Sequence, residues 1–231
     1  MSQIRTPSLV IIETGVANLA SVRALAERLG LQPIVTSDPE EVVRAPFVLL
    51  PGVGAFGPAM HKLRERGLDA AIRSRVAEGR PIAGICLGMQ LFFEASEESE
   101  GVQGLRLLPG KVKRLSGGLP LPQLGWNRIE PEPGSRLLQA GWVYFANSYG
   151  VGIEQNFNEG AADTSKAAFP RFDSISLATT TYGSAFISAI EAWRDDRPVL
   201  LLCQFHPELS GSFGKNLFAR WLELASERRR A

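Results

Sequence analysis

Short apolar runs alternate with amphipathic stretches through the first ~95 residues, and this alternation constrains the fold more than any other feature. The apolar runs occupy residues 8–12, 33–36, 47–50 and 81–85. Residues 18–29 repeat leucine, valine and alanine at helical spacing, and Gly30 then ends the pattern. The long stretch 58–78 is predicted to be helical, with a break at Gly67. Strands that alternate with helices in this way predict a parallel sheet with helices on both faces.

The pattern changes after residue 95, where strands are predicted with few helices between them. These predicted strands are 102–108, 111–115, 141–145, 174–181, 185–193 and 199–205. Strands joined without helices favour antiparallel pairing, so we expect an antiparallel extension beside the parallel sheet. A final amphipathic helix is predicted over 214–227, and the polar stretch 150–171 is interpreted as a loop or a small excursion. The predicted fold class is therefore α/β, a doubly wound and mostly parallel sheet with an antiparallel extension, in a single domain over residues 1–231.

The charge balance and the composition exclude several classes of function. The chain has 25 basic and 24 acidic side chains, and this balance argues against a general nucleic-acid binder. Two cysteines cannot form a disulfide framework, which favours a reducing compartment. Because the two histidines and two cysteines are far apart in sequence, we expect no metal and no cofactor. No apolar run is long enough to span a bilayer and no signal-peptide pattern opens the chain, so no membrane association and a cytoplasmic location are predicted.

The segment Gly84-Ile85-Cys86-Leu87-Gly88 carries the strongest local signal for catalysis. It lies where a buried strand is predicted to meet a helix over 87–94, and it has the G-x-nucleophile-x-G form of a nucleophile elbow with cysteine as the nucleophile. The glycines permit a sharp turn that holds Cys86 in a strained conformation, with its thiol at the carboxyl end of the sheet. A buried structural cysteine between two packing glycines is the alternative interpretation. Cys203 lies inside an apolar strand and is interpreted as a core residue.

A cysteine nucleophile needs a base, and the segment His206-Pro207-Glu208 offers one just past the last apolar strand. Glu208 can bond the far ring nitrogen of His206 and fix its tautomer. The other histidine, His61, lies in a Lys- and Arg-rich helix and is interpreted as a surface residue. The pairing of Cys86 with His206 is a prediction about tertiary structure, because the two residues are far apart along the chain.

Three glycines, Gly52, Gly54 and Gly57, match the dinucleotide-binding pattern G-x-G-x-x-G between a predicted strand and a helix. We reject the dinucleotide interpretation because the motif follows the third strand, whereas the dinucleotide fingerprint belongs to the first strand–helix turn. No strand that ends in an acidic residue follows about 20 residues later. The alternative is a tight loop whose backbone N–H groups form an oxyanion hole beside Cys86.

Taken together, these motifs resemble those of the class I (triad) glutamine amidotransferases. The shared motifs are Gly84-Ile85-Cys86-Leu87-Gly88-Met89-Gln90, Pro51-Gly52-Val53-Gly54 and His206-Pro207-Glu208. From about Leu9 to Leu224, the sequence looks more specifically like the glutaminase subunits of imidazole glycerol phosphate synthases, which act in histidine biosynthesis. The loop 52–57 and the segment Gly125-Trp126-Asn127 carry this narrower resemblance, since other members more often have a Pro-Gly-Gly loop.

The resemblance implies a glutaminase with a Cys-His-Glu triad. Cys86 is expected to attack the carboxamide carbon of glutamine, and His206 to carry the thiol proton to the departing ammonia. Glu208 is expected to orient His206. Water then releases glutamate from the thioester, and the ammonia passes unprotonated to a partner. The implied partner is the cyclase subunit of imidazole glycerol phosphate synthase, a (β/α)8 barrel.

Three further groups of residues are assigned by the resemblance alone. The oxyanion hole is assigned to backbone N–H groups of Val53, Gly54 and Leu87. Contacts with the substrate glutamine are assigned to Gly52, Gln90, Glu98, Asn147, Ser148 and Tyr149. The interface with the cyclase is assigned to Asn18, Trp126 and Tyr144.

The chain departs from the common family pattern at positions outside the triad. Residues 13–18 read Glu-Thr-Gly-Val-Ala-Asn where Asp-Tyr-Gly-x-Gly-Asn is common, and Leu209 stands where a basic residue is common. Gln123 and Asn147 stand where histidine is common. These departures leave open a paralogous amidotransferase that supplies ammonia to a different synthase. A catalytically idle regulatory or scaffolding subunit is a third hypothesis, and the intact triad argues against it.

Overall fold

A computed structural model describes residues 8–14, 19–155, 157 and 169–226, and twelve strands and six helices lie within these ranges. The strands are β1 Ser8–Ile12, β2 Gln32–Thr36, β3 Phe47–Leu50, β4 Ile82–Ile85, β5 Ala95–Ser96, β6 Lys111–Arg114, β7 Gln123–Pro131, β8 Gly141–Asn147, β9 Tyr149–Gly152, β10 Ser174–Tyr182, β11 Ser184–Arg194 and β12 Arg197–Cys203. The helices are α1 Leu19–Arg28, α2 Pro39–Arg44, α3 Phe56–Glu65, α4 Leu68–Ala77, α5 Leu87–Gln90 and α6 Gly211–Ser226. A 3₁₀ turn over Pro207–Leu209 precedes α6.

Five strands form the parallel half of the sheet, in the order β2-β1-β3-β4-β12. Strands β3 and β4 are buried along their whole length, as unbroken apolar sequence predicts for a parallel sheet covered on both faces. The predicted helix break is confirmed at Gly67, which separates α3 from α4 with a φ of +69°. Glycine takes this left-handed conformation without a steric penalty. The predicted α/β class is confirmed by this half of the sheet.

The sheet continues beyond β12 with the antiparallel strands β11, β10, β7 and β8. This is the predicted antiparallel extension, and its four strands make it nearly as wide as the parallel half. Strands β7 and β8 form a two-stranded ribbon at the end of the strand order, opposite β2. The β7–β8 ribbon is therefore the part of the sheet farthest, in strand order, from the amino-terminal edge.

The antiparallel half departs from the predictions in two places. Residues 102–108 form an irregular segment rather than a strand, because Leu105 and Leu107 donate their backbone N–H groups to carbonyls of residues 91 and 92. Conversely, strand β7 was not predicted. Its outward positions include the apolar Leu124 and Trp126, so the sequence lacks the usual alternation of buried apolar and exposed polar residues.

Three boundaries also differ from the predictions. The helix expected over 87–94 ends at Gln90, and the turns that follow it carry the buried Phe92 and Phe93. The stretch 150–171 contributes its first three residues to β9, while 156 and 158–168 lie outside the described residues. The last helix begins three residues earlier than predicted, at Gly211.

Two apolar layers cover the two faces of the sheet, as a doubly wound fold requires. Val10 and Ile12 of β1 pack in the layer that contains residues of α2, α3 and α4. Leu9 and Ile11 pack in the layer that contains residues of α1 and α6. Within the described ranges, no helix combines the length and the apolar character needed to cross a membrane.

The carboxyl ends of β3, β4 and β12 lie side by side in the sheet. The glycine-rich loop 51–55 follows β3, the cysteine elbow follows β4, and residues 204–208 follow β12. Open α/β sheets bind ligands at the carboxyl ends of their strands. The topology therefore brings the three sequence motifs to the edge where a site is expected.

Candidate active site

Cys86 has the strained backbone of a nucleophile elbow, with φ +52° and ψ −113°. A side chain on Gly88 would overlap the backbone carbonyl of Leu50, and one on Gly84 would lie 2.9 Å from Leu202. The Cys86 N–H donates to the carbonyl of Cys203 at 2.7 Å, which ties the elbow to β12. Gly88 is therefore required by the close approach of α5 to β3, Gly84 packs against β12, and the strain falls on the cysteine.

His206 and Glu208 form a buried pair beside this elbow. The Nδ1 atom of His206 lies 2.8 Å from Oε1 of Glu208, and the two side chains are 8% and 6% exposed. Burial by itself lowers the pKa of His206, but hydrogen bonds and charge interactions with Cys86 and Glu208 outweigh it and raise the pKa to about 10. Because Nδ1 faces Glu208, the other ring nitrogen is the one available to Cys86.

The backbone of His206 is fixed by the β7–β8 ribbon. Its N–H donates to the carbonyl of Tyr144 at 2.8 Å. The hydroxyl of Ser210 donates to the carbonyl of His206 at 2.6 Å and accepts from the N–H of Tyr144 at 3.0 Å. Sequence analysis missed Ser210, because nothing in the sequence distinguishes a serine at this position from any other turn residue.

A cavity of about 370 Å³ opens over the cysteine, and every residue predicted for catalysis, the oxyanion hole or substrate binding lines it. These residues are Gly52, Val53, Gly54, Cys86, Leu87, Gln90, Glu98, Asn147, Ser148, Tyr149, His206 and Glu208. The lining also includes residues that were not predicted, namely Val22, Pro51, Ile85, Pro122, Ala146 and Leu209. The cavity is therefore shared between the parallel half of the sheet and the β7–β8 ribbon.

The loop 51–55 packs directly against the elbow. A Cβ atom on Gly52 would lie 2.5 Å from the backbone N of Gly88 and 2.7 Å from the Cβ of Leu87, so only glycine permits this approach. Gly54 has φ +100°, in the region that favours glycine. The close approach puts the backbone of this loop beside the cysteine, as an oxyanion hole requires.

The third glycine of the pattern has a different task, at the start of α3. The backbone N–H of Gly57 donates to Oγ of Ser99 at 2.9 Å, and that of Phe56 donates to Oε2 of Glu98 at 2.7 Å. A dinucleotide site would leave these helix-terminal N–H groups free for phosphate. Here the chain's own side chains occupy them, which is the physical reason why the dinucleotide interpretation fails.

A chain of amide groups runs behind the cysteine. Gln90 donates from Nε2 to the carbonyl of Tyr149 at 3.1 Å and to Oε1 of Gln204 at 2.9 Å. Gln204 in turn donates from Nε2 to Sγ of Cys86 at 3.7 Å. Gln204 was also missed. The sequence feature that points to it is its position, because it is the single polar residue between an apolar strand and the histidine motif.

The residues predicted for a partner interface fall on two parts of the chain. Trp126 and Tyr144 face each other across the β7–β8 ribbon, with ring centroids 6.1 Å apart and ring planes at 83°. Trp126 is 55% exposed, and Leu124 and Trp142 on the same ribbon are 68% and 58% exposed. We call these four residues the ribbon face. Asn18 lies outside the described residues.

Comparison with known proteins agrees with this geometry. A family model described as glutamine amidotransferase class-I matches residues 11–130. The chain belongs to the class-I glutamine amidotransferases. It is therefore a glutamine amidotransferase, which is the class of enzyme that the sequence motifs predicted.

Relatives and solved structures agree with this membership. An imidazole glycerol phosphate synthase subunit HisH of Symbiobacterium thermophilum is 42% identical over 218 residues, which is 92% of each chain. The HisH subunit of Yersinia pseudotuberculosis is 37% identical over 94% of this chain and 99% of its own. A crystal structure of a glutamine amidotransferase superposes with a TM-score of 0.68 at 20% identity, covering 94% of this chain and 99% of that one. The structure of PurLQS from Thermotoga maritima gives a TM-score of 0.66 at 17% identity, covering 94% and 98%. The solved structures support the fold of this class-I amidotransferase, and the sequence relatives point to one subgroup within it.

Proposed function

We propose that this class-I amidotransferase is the glutaminase subunit of an imidazole glycerol phosphate synthase, which hydrolyses glutamine and passes the ammonia to a cyclase subunit. The observation that carries the glutaminase chemistry is the buried Cys86, His206 and Glu208 arrangement at the floor of one cavity. Similarity to HisH subunits over more than nine-tenths of the chain supports this particular synthase.

The first half of the reaction forms a thioester. In the resting enzyme His206, whose pKa is raised to about 10, holds the proton of the Cys86 thiol, and Sγ bonds to the carboxamide carbon of glutamine. As the C–N bond breaks, the nitrogen leaves as ammonia with the proton from His206. Glu208, held at 2.8 Å from Nδ1, stabilises the imidazolium until His206 gives up this proton.

The second half returns the enzyme to its starting state. A water molecule gives a proton to His206 while its oxygen bonds to the thioester carbon. The C–S bond then breaks with its electron pair on Sγ, and glutamate is released. The same histidine therefore serves both half-reactions.

Both half-reactions place negative charge on the former carboxamide oxygen. We assign its stabilisation to backbone N–H groups of Leu87, at the elbow, and of Val53 and Gly54 in the loop 51–55. Losing one such donor costs about 10²- to 10³-fold in kcat in other enzymes. The close packing of Gly52 on the elbow supports this assignment, because it fixes the loop relative to Cys86.

The amino-acid end of glutamine is assigned to the outer wall of the cavity. One oxygen of Glu98 is engaged by the N–H of Phe56, which holds the carboxylate at the cavity and leaves its other oxygen for the substrate ammonium. Gly52, Gln90 and the segment 147–149 complete the wall.

The partner is assigned to the ribbon face. An exposed aromatic and aliphatic surface of this kind is typical of a protein-binding site. The ribbon also contributes Ala146 and Asn147 to the cavity, so a cyclase barrel docked there would lie close to the point at which ammonia is released. A cytoplasmic location is proposed as well, because the nucleophile must stay reduced and both cysteines are free thiols.

Reconstitution with the histidine-pathway cyclase tests the proposal. We expect the isolated chain to hydrolyse glutamine slowly and the complex to hydrolyse it faster. Cys86→Ala should abolish glutamine-dependent synthesis and retain synthesis from added ammonia, while Cys203→Ala, the matched control at the other cysteine, should retain both. Loss of both activities in Cys86→Ala would show that the residue supports the fold or the interface instead. A lack of stimulation by this cyclase would favour the paralogous synthase, and failure of a glutamine-derived electrophile to label Cys86 would favour the idle subunit.

A further inference from the structure

Gln204 is a fully buried polar side chain that the triad mechanism does not use. It lies one residue after β12 and two residues before His206. Burying a carboxamide is costly unless its hydrogen bonds are made, so its partners indicate what it does. Those partners are Gln90 and the sulfur of Cys86.

The orientation of the Gln204 carboxamide is fixed by a chain of hydrogen bonds that begins at a backbone carbonyl. The carbonyl of Tyr149 can only accept, so the nitrogen of Gln90 must face it. The same Gln90 nitrogen donates to Gln204, so the oxygen of Gln204 must face Gln90. The nitrogen of Gln204 is then left facing Sγ of Cys86 as a donor.

We propose that Gln204 is a dedicated N–H donor to the Cys86 sulfur, held in that orientation by Gln90, and that it stabilises the thiolate. A hydrogen bond to the charged form of a group favours that form. The donor also acts in thioester breakdown, where the C–S bond breaks and its electron pair returns to Sγ beside the Gln204 N–H. The inference rests on the proposed role of Cys86 as nucleophile.

The surroundings of the Cys86 sulfur explain why the N–H donor of Gln204 matters. Cys86 is 8% exposed, so protein groups make most of the contacts of its side chain, and the cavity opens on the remaining side. The charged imidazole of His206 is the other group that stabilises a thiolate here. His206 must exchange its proton during each turnover, whereas the amide of Gln204 keeps its protons throughout. The stabilisation of the thiolate that Gln204 supplies therefore does not depend on whether His206 is protonated.

The test is the pH dependence of Cys86 alkylation by iodoacetamide in the full-length chain, with the modified cysteine assigned by peptide mapping. Gln204→Met keeps the side-chain volume and removes the donor. We expect the alkylation midpoint to rise by about 0.4 to 1 pH unit, which is a fall of about 2.5- to 10-fold in rate below the midpoint. Peptide mapping is needed because Cys203 is the second cysteine, although burial raises its pKa well above the usual range.

Two further variants keep the test decisive. Gln204→Asn, whose amide is one methylene too short to reach the sulfur, should move the midpoint in the same direction if Gln204→Met does not fold. Thr180→Val removes a buried hydroxyl that donates to the carbonyl of Arg128 at 2.9 Å outside the cavity, and it should leave the midpoint unchanged. A normal midpoint in a folded Gln204 variant would overturn the proposal. Because alkylation needs neither glutamine nor the cyclase, this result is independent of whether the proposed synthase function fails.

Discussion

At the scale of single residues, the site depends on a cysteine with a strained backbone and on a histidine that keeps its positive charge because its pKa is raised. The elbow conformation of Cys86 is held by its backbone hydrogen bond to Cys203 and by the close packing of Gly88 on Leu50. The charge of His206 is retained because Glu208 and Cys86 both favour it in a buried place. These two features can be tested separately.

The first prediction concerns the pKa of His206. Because Cys86 and Glu208 raise this pKa to about 10, we expect Cys86→Ala to lower it, and Glu208→Gln to lower it as well. The measurement is a pH titration of the two histidine ring signals by NMR, with the exposed His61 as an internal reference. An unchanged His206 pKa in Cys86→Ala would show that the thiol does not contact the ring.

The same shift predicts how stability depends on pH. The pKa of His206 in the folded protein lies above its ordinary value of 6.5, so the stabilisation from the charged ring is fully present below pH 6.5 and is lost as the pH rises through about 10. The free energy of unfolding of the parent chain should therefore exceed that of His206→Asn most at low pH, and the difference should shrink toward pH 10. Urea unfolding at a series of pH values measures it, and a difference that grows with pH would contradict it.

A third prediction concerns the elbow glycine. Alanine is favoured over glycine in a helix, so helix propensity alone predicts that Gly88→Ala stabilises the chain. We expect the opposite, a loss of about 1–3 kcal/mol, because the new methyl group overlaps the carbonyl of Leu50. Gly30→Ala is the control, since Gly30 has φ +71° but open space around it and should cost only about 1 kcal/mol. Equal losses in the two variants would remove the steric explanation.

At the scale of elements, one buried carboxylate joins the β7–β8 connection to the sheet. Glu191 on β11 accepts hydrogen bonds from the backbone N–H groups of Arg136, Leu137 and Leu138 at 2.7–2.9 Å, and from the indole of Trp193 at 3.1 Å. All four partners are donors, which suits a carboxylate and not an amide. The segment between the two ribbon strands is therefore fixed by a residue of another strand.

This arrangement gives a fourth prediction. Glu191→Gln should lower the free energy of unfolding by about 2 kcal/mol, because the amide nitrogen cannot accept from the N–H groups that face it. Urea unfolding measures the change. The matched control is Glu130→Gln on β7, whose exposed ion pair with Arg128 should contribute less than about 1 kcal/mol. A similar loss in both variants would argue against the anchoring role of Glu191.

At the scale of the whole molecule, strand β8 connects the candidate site to the ribbon face. The backbone of Tyr144 is hydrogen-bonded to His206 and Ser210, while its side chain packs against Trp126 on the ribbon face. A partner that contacts Trp126 is thus separated from His206 by one residue of β8.

The fifth prediction follows from this exposure. Trp126→Ala should weaken binding to the cyclase by about 10-fold or more, since exposed tryptophans often dominate protein interfaces. Its free energy of unfolding should change by no more than about 1 kcal/mol, because Trp126 is 55% exposed and an aromatic contact such as that with Tyr144 contributes about this much. Titration calorimetry with the cyclase measures the binding. Ile34→Ala, at the other end of the strand order, is the control and should bind normally. Unchanged binding by Trp126→Ala would move the interface away from the ribbon face.

The sequence alone determined the strand–helix alternation of the first half and the position of the cysteine elbow, because both depend on local spacing, and the resemblance of its motifs indicated the family. Short-range steric rules dictate where glycine, a buried strand or a helix break can stand. The twelve residues assigned to the site from sequence all line one cavity, although their chemical roles stay predictions.

Only the tertiary structure decided which residues support that site from a distance. These residues form hydrogen bonds with partners that lie 42 to 118 positions away along the chain. They are Gln204, Ser210, Ser99 and Glu191. Strand β7 escaped prediction for a related reason, since its apolar residues face outward and the usual pattern is reversed. Hydrophobic periodicity indicates which residues of one element are buried. The contacts described here depend instead on which elements lie side by side in the sheet. The packing of the whole chain decides that arrangement.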